Sequence, residues 1–197
     1  YDFALWIKAS KEHLMKWDSP WGPSYPGWHI ECSAMSRKHL GEQFDIHTGG
    51  IDLIPTHHEN EIAQSKGLCG KIPARYWLHG EYLLIDGGKM SKSLGNVYLI
   101  RDIKERGYDP IVYKLFCYSA NYRNKLNFTW EAIDSTSKSL ERLRNGYQAH
   151  KNEKEDLTPE DEKKLNEIEQ NFHKAINDDM NMPLAMSYVW EAVRYSK

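Results

Sequence analysis

The chain has 197 residues, 40% of them hydrophobic and 12% aromatic, enough for one ordinary core with a small appended unit and too few for several large domains. A formal net charge of −2 and a pI near 6.5 exclude a global basic field, so any contact with a nucleic acid has to be local. Three scattered cysteines, Cys32, Cys69 and Cys117, exclude a disulfide framework, and no apolar run approaches the roughly 20 residues of a membrane helix; both point to a reducing, cytoplasmic setting with no membrane role.

The opening residues Tyr1-Asp2-Phe3-Ala4-Leu5-Trp6 read as the interior of a longer chain. From there the apolar spacing alternates between helical and extended periods, as expected of a mixed α/β layer. A helix is predicted from about Gly27 to Leu40, with Ile30, Ala34 and Met35 on one face and Gly41 as its stop. Phe44-Asp45-Ile46-His47 reads as a short strand entering a turn at Thr48-Gly49-Gly50. A second helix is expected from Thr56, as N-cap, to about Lys66, with Gly67 past its end. Residues Tyr76 to Ile85 alternate as one strand and break at Asp86-Gly87-Gly88. The remainder is mostly helical: Leu99 to Arg106, Pro110 to Ala120 and Trp130 to His150, divided by Gly107 and by a polar stretch from Asn121 to Asn127. A charge-rich linker, Lys151 to Asp156, precedes a helix opened by Thr158-Pro159-Glu160-Asp161, with a cap, a first-turn proline and early acids. Asn181-Met182-Pro183 begins a last helix that the chain end interrupts.

Two constellations carry chemistry. Lys89-Met90-Ser91-Lys92-Ser93-Leu94-Gly95-Asn96 follows the strand and its glycine turn. Two lysines three apart on a short loop can set two ammonium charges against a triphosphate, and serines and glycines add hydrogen bonds and close backbone approach. A cation that engages as charge develops on phosphate oxygens lowers the barrier differentially. A solvated lysine-rich loop is the other reading of such a stretch. The second constellation is Cys32 with His57 and Glu61, beside His58. His57 and Glu61, four apart, share a helix face, and Cys32 could add a thiolate from the preceding helix, three ligands that suit zinc. On spacing alone, a lone buried cysteine with a helical His and Glu in core and solvated-surface roles remains an open alternative.

Lys89-Met90-Ser91-Lys92-Ser93 matches the signature of class I aminoacyl-tRNA synthetases. Within that class, Pro26-Gly27-Trp28-His29-Ile30-Glu31-Cys32-Ser33-Ala34-Met35, Phe44 to Leu53, and His57-His58-Glu59-Asn60-Glu61-Ile62-Ala63-Gln64-Ser65 resemble the cysteinyl-tRNA synthetases in order and spacing. The likeness spans roughly Asp2 to Asn127, and Asp178-Asp179-Met180-Asn181-Met182-Pro183 resembles the start of that family's helical domain. It implies an α/β fold: the second half of a Rossmann-like catalytic domain over residues 1–120, a connecting helical region over 121–155, and the start of a tRNA-binding helical domain over 156–197.

The resemblance further implies activation of L-cysteine by ATP with Mg2+, transfer to tRNA(Cys), a monomeric enzyme, and one zinc ion that takes the substrate by its sulfur. Cys32, His57 and Glu61 match three of the family's zinc ligands, and the fourth, a cysteine, lies nearer the family's N-terminus than this chain reaches. A thiolate is a far better ligand for a borderline-soft ion than a hydroxyl, so discrimination against serine needs no editing. Trp28 matches a tryptophan lining the cysteine pocket, and Gly49, Gly50 and Asp52 match positions near the amino acid and adenosine. His47, closing its strand before the glycines, is a candidate substrate contact, since open α/β sheets bind ligands there. Lys89, Met90, Ser91, Lys92 and Ser93 would bind ATP, with Lys89 and Lys92 catalytic.

Some positions depart from the family. Thr56 stands where many members have proline before the histidine pair, Pro55 falling one place earlier, and Asn121-Tyr122-Arg123 stands where many have His-Tyr-Arg. The family's first ATP signature would lie upstream, so the isolated chain is expected to be inactive and to depend on other residues to fold. A ligase of the mycothiol pathway, passing cysteine from the same adenylate to an amino sugar, is the enzyme alternative; its likeness to the synthetases ends after the histidine pair, before Glu61. A non-catalytic zinc- and RNA-binding paralogue is the third reading. Cys69 and Cys117 read as small buried residues, and Trp6, Trp17, Trp21, Trp77, Trp130 and Trp190 as packing residues.

Overall fold

The computed structural model describes residues 3–152 and 156–195; Tyr1, Asp2, residues 153–155 of the expected linker, and residues 196–197 lie outside the described residues. The chain divides into two compact units, Tyr1–Gly80 and Glu81–Lys197.

In the first unit, β1 (Trp6–Lys8) and β2 (Ser24–Pro26) form an antiparallel pair with Ile7 opposite Tyr25. Helix α1 (Trp28–Leu40) begins and ends where the glycines predict, capped by extended Gly27 and by Gly41. Its expected apolar face is narrower than the spacing suggests. Ile30 and Ala34 line a cavity of about 1160 Å³, whereas Met35 is 55% exposed, because five residues carry it some 140° around the helix from Ile30. Strands β3 (Phe44–Gly50) and β4 (Ala74–Gly80) pair in parallel from Phe44 opposite Ala74 to Gly50 opposite Gly80, and the crossover between them contains α2 (Glu59–Cys69).

Three expectations need correction here. Thr48-Gly49-Gly50 continues the β3 ladder and does not turn. A Cβ at Gly49 would stand 2.7 Å from His58 Cε1 and 2.8 Å from Leu53 Cδ1, so this glycine makes space for a ring and not for a bend. Thr56 does not cap α2. It lies inside a π-helical turn, Ile54–His58, that leads into the helix, and Pro55 occupies the first turn, where a missing N–H costs nothing. The helix then runs through Gly67 and stops at left-handed Gly70 (φ 73°).

The single strand expected from Tyr76 to Ile85 is two strands in two sheets. β4 ends at Gly80, and β5 (Leu83–Ile85) belongs to the second unit, in a sheet ordered β6-β5-β7 with β6 (Gly88–Lys89) and β7 (Leu126–Phe128). Asp86 (φ 49°) and Gly87 (φ 77°) form the two-residue hairpin turn between β5 and β6, a left-handed pair suited to strand twist. Strand β7 begins inside the expected polar stretch and ends one residue past it, where no strand is predicted. Only Leu126 and Phe128 mark it, too short for a period-2 signal.

Helices α3 (Ile100–Glu105), α4 (Ile111–Cys117), α5 (Trp130–Asn152), α6 (Pro159–Asn177) and α7 (Met182–Arg194) complete this unit. Helix α5 runs two residues into the expected linker, since Lys151-Asn152 contains no breaker. The predicted caps are present: Thr158 Oγ1 accepts the Asp161 N–H at 3.2 Å and Asp161 Oδ2 accepts the Thr158 N–H at 2.9 Å, while Asn181 Oδ1 accepts the Leu184 N–H.

The core joins Ile85, Ile103, Val112, Phe116, Phe128, Ile133 and Leu140, and each such side chain withdrawn from water contributes roughly 1.5–3 kcal/mol. Phe128 meets Phe116 and Trp130 edge-on at 5.9 and 5.2 Å, the arrangement aromatic quadrupoles favour. Trp130 packs as expected, under Arg106, but Trp17 and Trp21 are 50% and 73% exposed and are not packing residues. Cys69 and Cys117 are half-buried rather than buried. Among the described residues no helix is long and apolar enough to cross a membrane.

Candidate active site and metal centre

The first unit gathers histidines and acids around Glu61. Trp28 and Cys32, four apart on α1, share a face; the π-helical turn and α2 then supply His57 and Glu61, also four apart. The widened turn advances the chain by an extra residue per turn and buries His57 and His58, 4% and 3% exposed, beside Glu61 at 3%. Cys32 Sγ, a ring nitrogen of His57 and a carboxylate oxygen of Glu61 all lie within 4.8 Å of one another. A thiol, an imidazole and a carboxylate at that separation form a donor set that fits zinc.

Each of the two α2-side candidates, His57 and Glu61, is held by a partner behind it. His57 Nδ1 lies 2.8 Å from His29 Nδ1, and its Nε2 lies 3.6 Å from Glu61 Oε1. For Nε2 to offer a lone pair to a cation, Nδ1 has to carry the proton and donate it to His29. Glu61 Oε2 accepts from His47 Nε2 at 2.6 Å, which leaves Oε1 turned toward His57. His47, expected as a substrate contact, thus has one ring nitrogen committed to Glu61. It sits mid-strand on β3, opposite Trp77.

A second layer follows. His58 Nδ1 is 2.8 Å from His79 Nε2 on β4, and the space left by Gly49 admits its ring. His47, His58 and Glu61 form a second close group of possible ligand atoms. The electrostatics favour the neutral form of His57 and His58. Burial, then the neighbouring His47, His79 and His57 rings, lowers His58 to about 4; burial likewise lowers His57, opposed by Glu61. Burial, with Glu61 and Glu31, pushes the Cys32 thiol up, a shift that a bound cation reverses.

Trp28 is 57% exposed, its ring 4.3 Å from that of His57, so it covers the cluster and is no core residue. Asp52 is exposed on the 3-10 turn Ile51–Leu53 that follows β3, and its carboxylate folds back over Gly50. Asp52, Gly49 and Gly50 thereby stand at the carboxyl end of β3. Sequence reasoning missed the roles of His29, His58 and His79. His29 and His58 carried a signal, since both stand beside predicted ligands inside the motifs; His79 carried none, because only the β3–β4 register brings it near.

In the second unit, the loop bearing Lys89 and Lys92 is built on the β5–β6 hairpin. Met90 packs against the core, while Lys89 and Lys92 are exposed. Ser91 caps the short 3-10 turn Lys92–Leu94, its Oγ accepting the Leu94 N–H at 3.3 Å and lying 3.2 Å from Ser93 Oγ. Gly87 N–H donates to Asn127 Oδ1 at 2.7 Å, which ties the hairpin turn to β7. Tyr122 and Arg123 also gain a partner. The Tyr122 hydroxyl and Arg123 Nε donate to the Asp179 carboxylate at 2.7 and 2.6 Å.

Comparison with known proteins bears directly on this arrangement. A cysteine–tRNA ligase of Bacillus cereus is 50% identical over 201 residues, covering 99% of this chain and 43% of the relative. One of Bacillus thuringiensis is 48% identical with the same coverage, so the chain spans less than half the length of the curated relatives it matches. A crystal structure of the ternary LeuRS-tRNA-LeuAMS complex from Agrobacterium radiobacter has a TM-score of 0.67 at 14% identity, covering 91% of this chain and 28% of that one, a likeness of fold alone. The fold is accordingly α/β, part of a class I synthetase catalytic domain followed by helices. The family model described as the class I (C) tRNA synthetase catalytic domain matches residues 1–138, well over half of the sequence, and to that family the chain belongs.

Proposed function

We propose that the chain is part of a cysteine–tRNA ligase, which activates L-cysteine with ATP to cysteinyl adenylate and passes the cysteinyl group to the 3′ end of tRNA(Cys). The observation that carries this reading is the convergence of Cys32, His57 and Glu61, drawn from α1, the π-helical turn and α2, within 4.8 Å. Zinc held by these three would supply a borderline-soft Lewis acid that takes a thiolate in preference to a serine hydroxyl. His29 and His47 keep the imidazole and the carboxylate turned toward that position. Trp28 forms an aromatic cover over the side chain of the amino acid, and Gly49, Gly50 and Asp52 line its approach from the end of β3. Residues 1–120 would carry this chemistry, with the helices of 121–155 and 156–197 belonging to the tRNA-binding side.

Adenylate formation needs a carboxylate oxygen of cysteine to attack the α-phosphorus of ATP while pyrophosphate, with its Mg2+, departs. Negative charge accumulates on the phosphate oxygens, and Lys89 and Lys92, exposed on a hairpin-anchored loop, bring the two charges that offset it. Ser91, Ser93 and the Met90 backbone complete the phosphate-facing strip. The amino-sugar ligase alternative is disfavoured by Glu61, because the likeness of that family to the synthetases ends after the histidine pair.

The test is made in the full-length enzyme. Lys92→Ala is expected to slow cysteine-dependent pyrophosphate exchange by about 100-fold or more while bound zinc stays at one per chain. An unchanged exchange rate would reject the role of the loop. Charging of glucosaminyl inositol in place of tRNA would replace the ligase reading with its amino-sugar counterpart.

A further inference from the structure

One side chain brackets the lysine loop. Asn96 Oδ1 accepts the Ser91 N–H at 2.8 Å, and Asn96 Nδ2 donates to the Lys89 carbonyl at 2.9 Å. Both backbone groups flank Met90, whose side chain is packed against the core. The peptide run Lys89-Met90-Ser91 is thus fixed from below by an apolar anchor and from the side by one carboxamide, using one donor and one acceptor of matched kind. Ser91, fixed in this way, caps the turn on which Lys92 stands. The stems of both lysines therefore leave a backbone that Asn96 holds, although Asn96 itself is five residues beyond Ser91 and touches neither ammonium.

We propose that Asn96 is a positioning residue for phosphate chemistry at Lys89 and Lys92: its carboxamide pre-organises the loop so that the two ammonium groups meet the departing pyrophosphate without first paying for the ordering of the backbone. The inference rests on the phosphate-binding reading of the loop given above. The amide is irreplaceable by its near-isosteres. Aspartate keeps an acceptor for the Ser91 N–H but turns a second oxygen on the Lys89 carbonyl, and alanine loses both bonds.

In the full-length enzyme, Asn96→Ala and Asn96→Asp are each expected to slow adenylate formation by about 10- to 100-fold, the scale on which a small misplacement of a catalytic group acts. Rates are normalised to the active-site concentration, so that loss of folded protein does not enter. Transfer of the cysteinyl group from pre-formed adenylate to tRNA is expected to stay within about 3-fold, because that step releases no pyrophosphate. In a Lys89→Ala, Lys92→Ala background, Asn96→Ala is expected to add less than about 2-fold, since its effect is exerted through those lysines. Equal slowing of both steps, or full additivity with the lysine variants, would mean general support of the fold and would overturn the proposal. Wild-type adenylation in Asn96→Ala with a slow Lys92→Ala would overturn it while leaving the proposed function intact; normal rates in both would remove the function of the loop itself.

Discussion

Glu61 is a carboxylate at 3% exposure whose one side-chain hydrogen bond among the described residues is to the His47 imidazole, an expensive placement for a charge unless a cation completes it. His47 decides which way that carboxylate points. Replacing His47 with alanine removes the 2.6 Å contact and frees Glu61 to rotate, so zinc affinity, read by competition with a chromophoric chelator, is expected to fall by about 10- to 100-fold, the usual effect of losing such a partner. An affinity equal to that of the unaltered protein would show that Glu61 is oriented by something else. That Cys32, His57 and Glu61 come together was legible in the sequence, because an i, i+4 pair needs only helical geometry and the motif residues around Cys32 supply the rest. The orienting residues were legible only as neighbours of motifs. Which ring nitrogen meets which oxygen follows from the β3–β4 pairing and the π-helical turn, and no residue pattern announces either.

At the scale of elements, the connection between α6 and α7 is an instructive case. Asp179 and Met180 both have left-handed backbone, φ 52° and 53°, an arrangement that costs on the order of 1 kcal/mol or more per non-glycine residue. The Asp179 carboxylate offsets this by accepting from Tyr122 and Arg123 on the loop before β7. Those bonds, first that of Arg123 and then that of Tyr122, hold its carboxyl below the ordinary value of 3.8. The sign follows: a depressed carboxyl stabilises the fold above its unfolded pKa, and the contribution is lost as pH falls through the lower folded value. The thermal midpoint of the protein should therefore exceed that of Asp179→Asn by a constant margin above about pH 5, with the margin closing below about pH 4. A margin that stays constant into acid would show that ionisation of Asp179 is not its source, and no margin at any pH would show that the amide makes the same bonds. The sequence offered Asp178-Asp179-Met180-Asn181-Met182-Pro183 as a helix start and Asn121-Tyr122-Arg123 as a polar stretch, and it could not join them, because the link spans 56 positions through two exposed side chains. Strand β7, three residues long, was hidden for a related reason: its identity lies in its parallel pairing with β5, not in its own period.

At the scale of the whole molecule, the two units are stabilised by different means. Of the twelve buried apolar side chains among the described residues, ten belong to Glu81–Lys197 and only Pro73 and Ala74 to the first unit, where the buried polar side chains are Ser24, His57, His58 and Glu61. Composition gave no hint of this split, because an average over the chain hides an interior that is polar in one part and apolar in the other. Apolar burial contributes stability outright, whereas a buried polar cluster returns little beyond its desolvation cost until something binds it. Ligand binding to the folded state adds RT ln(1 + [L]/Kd), about 2.7 kcal/mol at a free concentration of 100 Kd, which slows exchange of the amides it protects by about 100-fold. Amide hydrogen exchange followed by mass spectrometry should accordingly show β5, β7, α4 and α5 protected with or without metal. Peptides from α1, α2 and β3 should exchange faster in a chelator and slow by about two orders of magnitude when zinc is returned. Zinc that leaves α1 and α2 unchanged, or that slows α5 to the same degree, would contradict the assignment of the cluster as the element that completes the first unit, since the free energy of a metal held by Cys32, His57 and Glu61 can appear only in the segments those residues join.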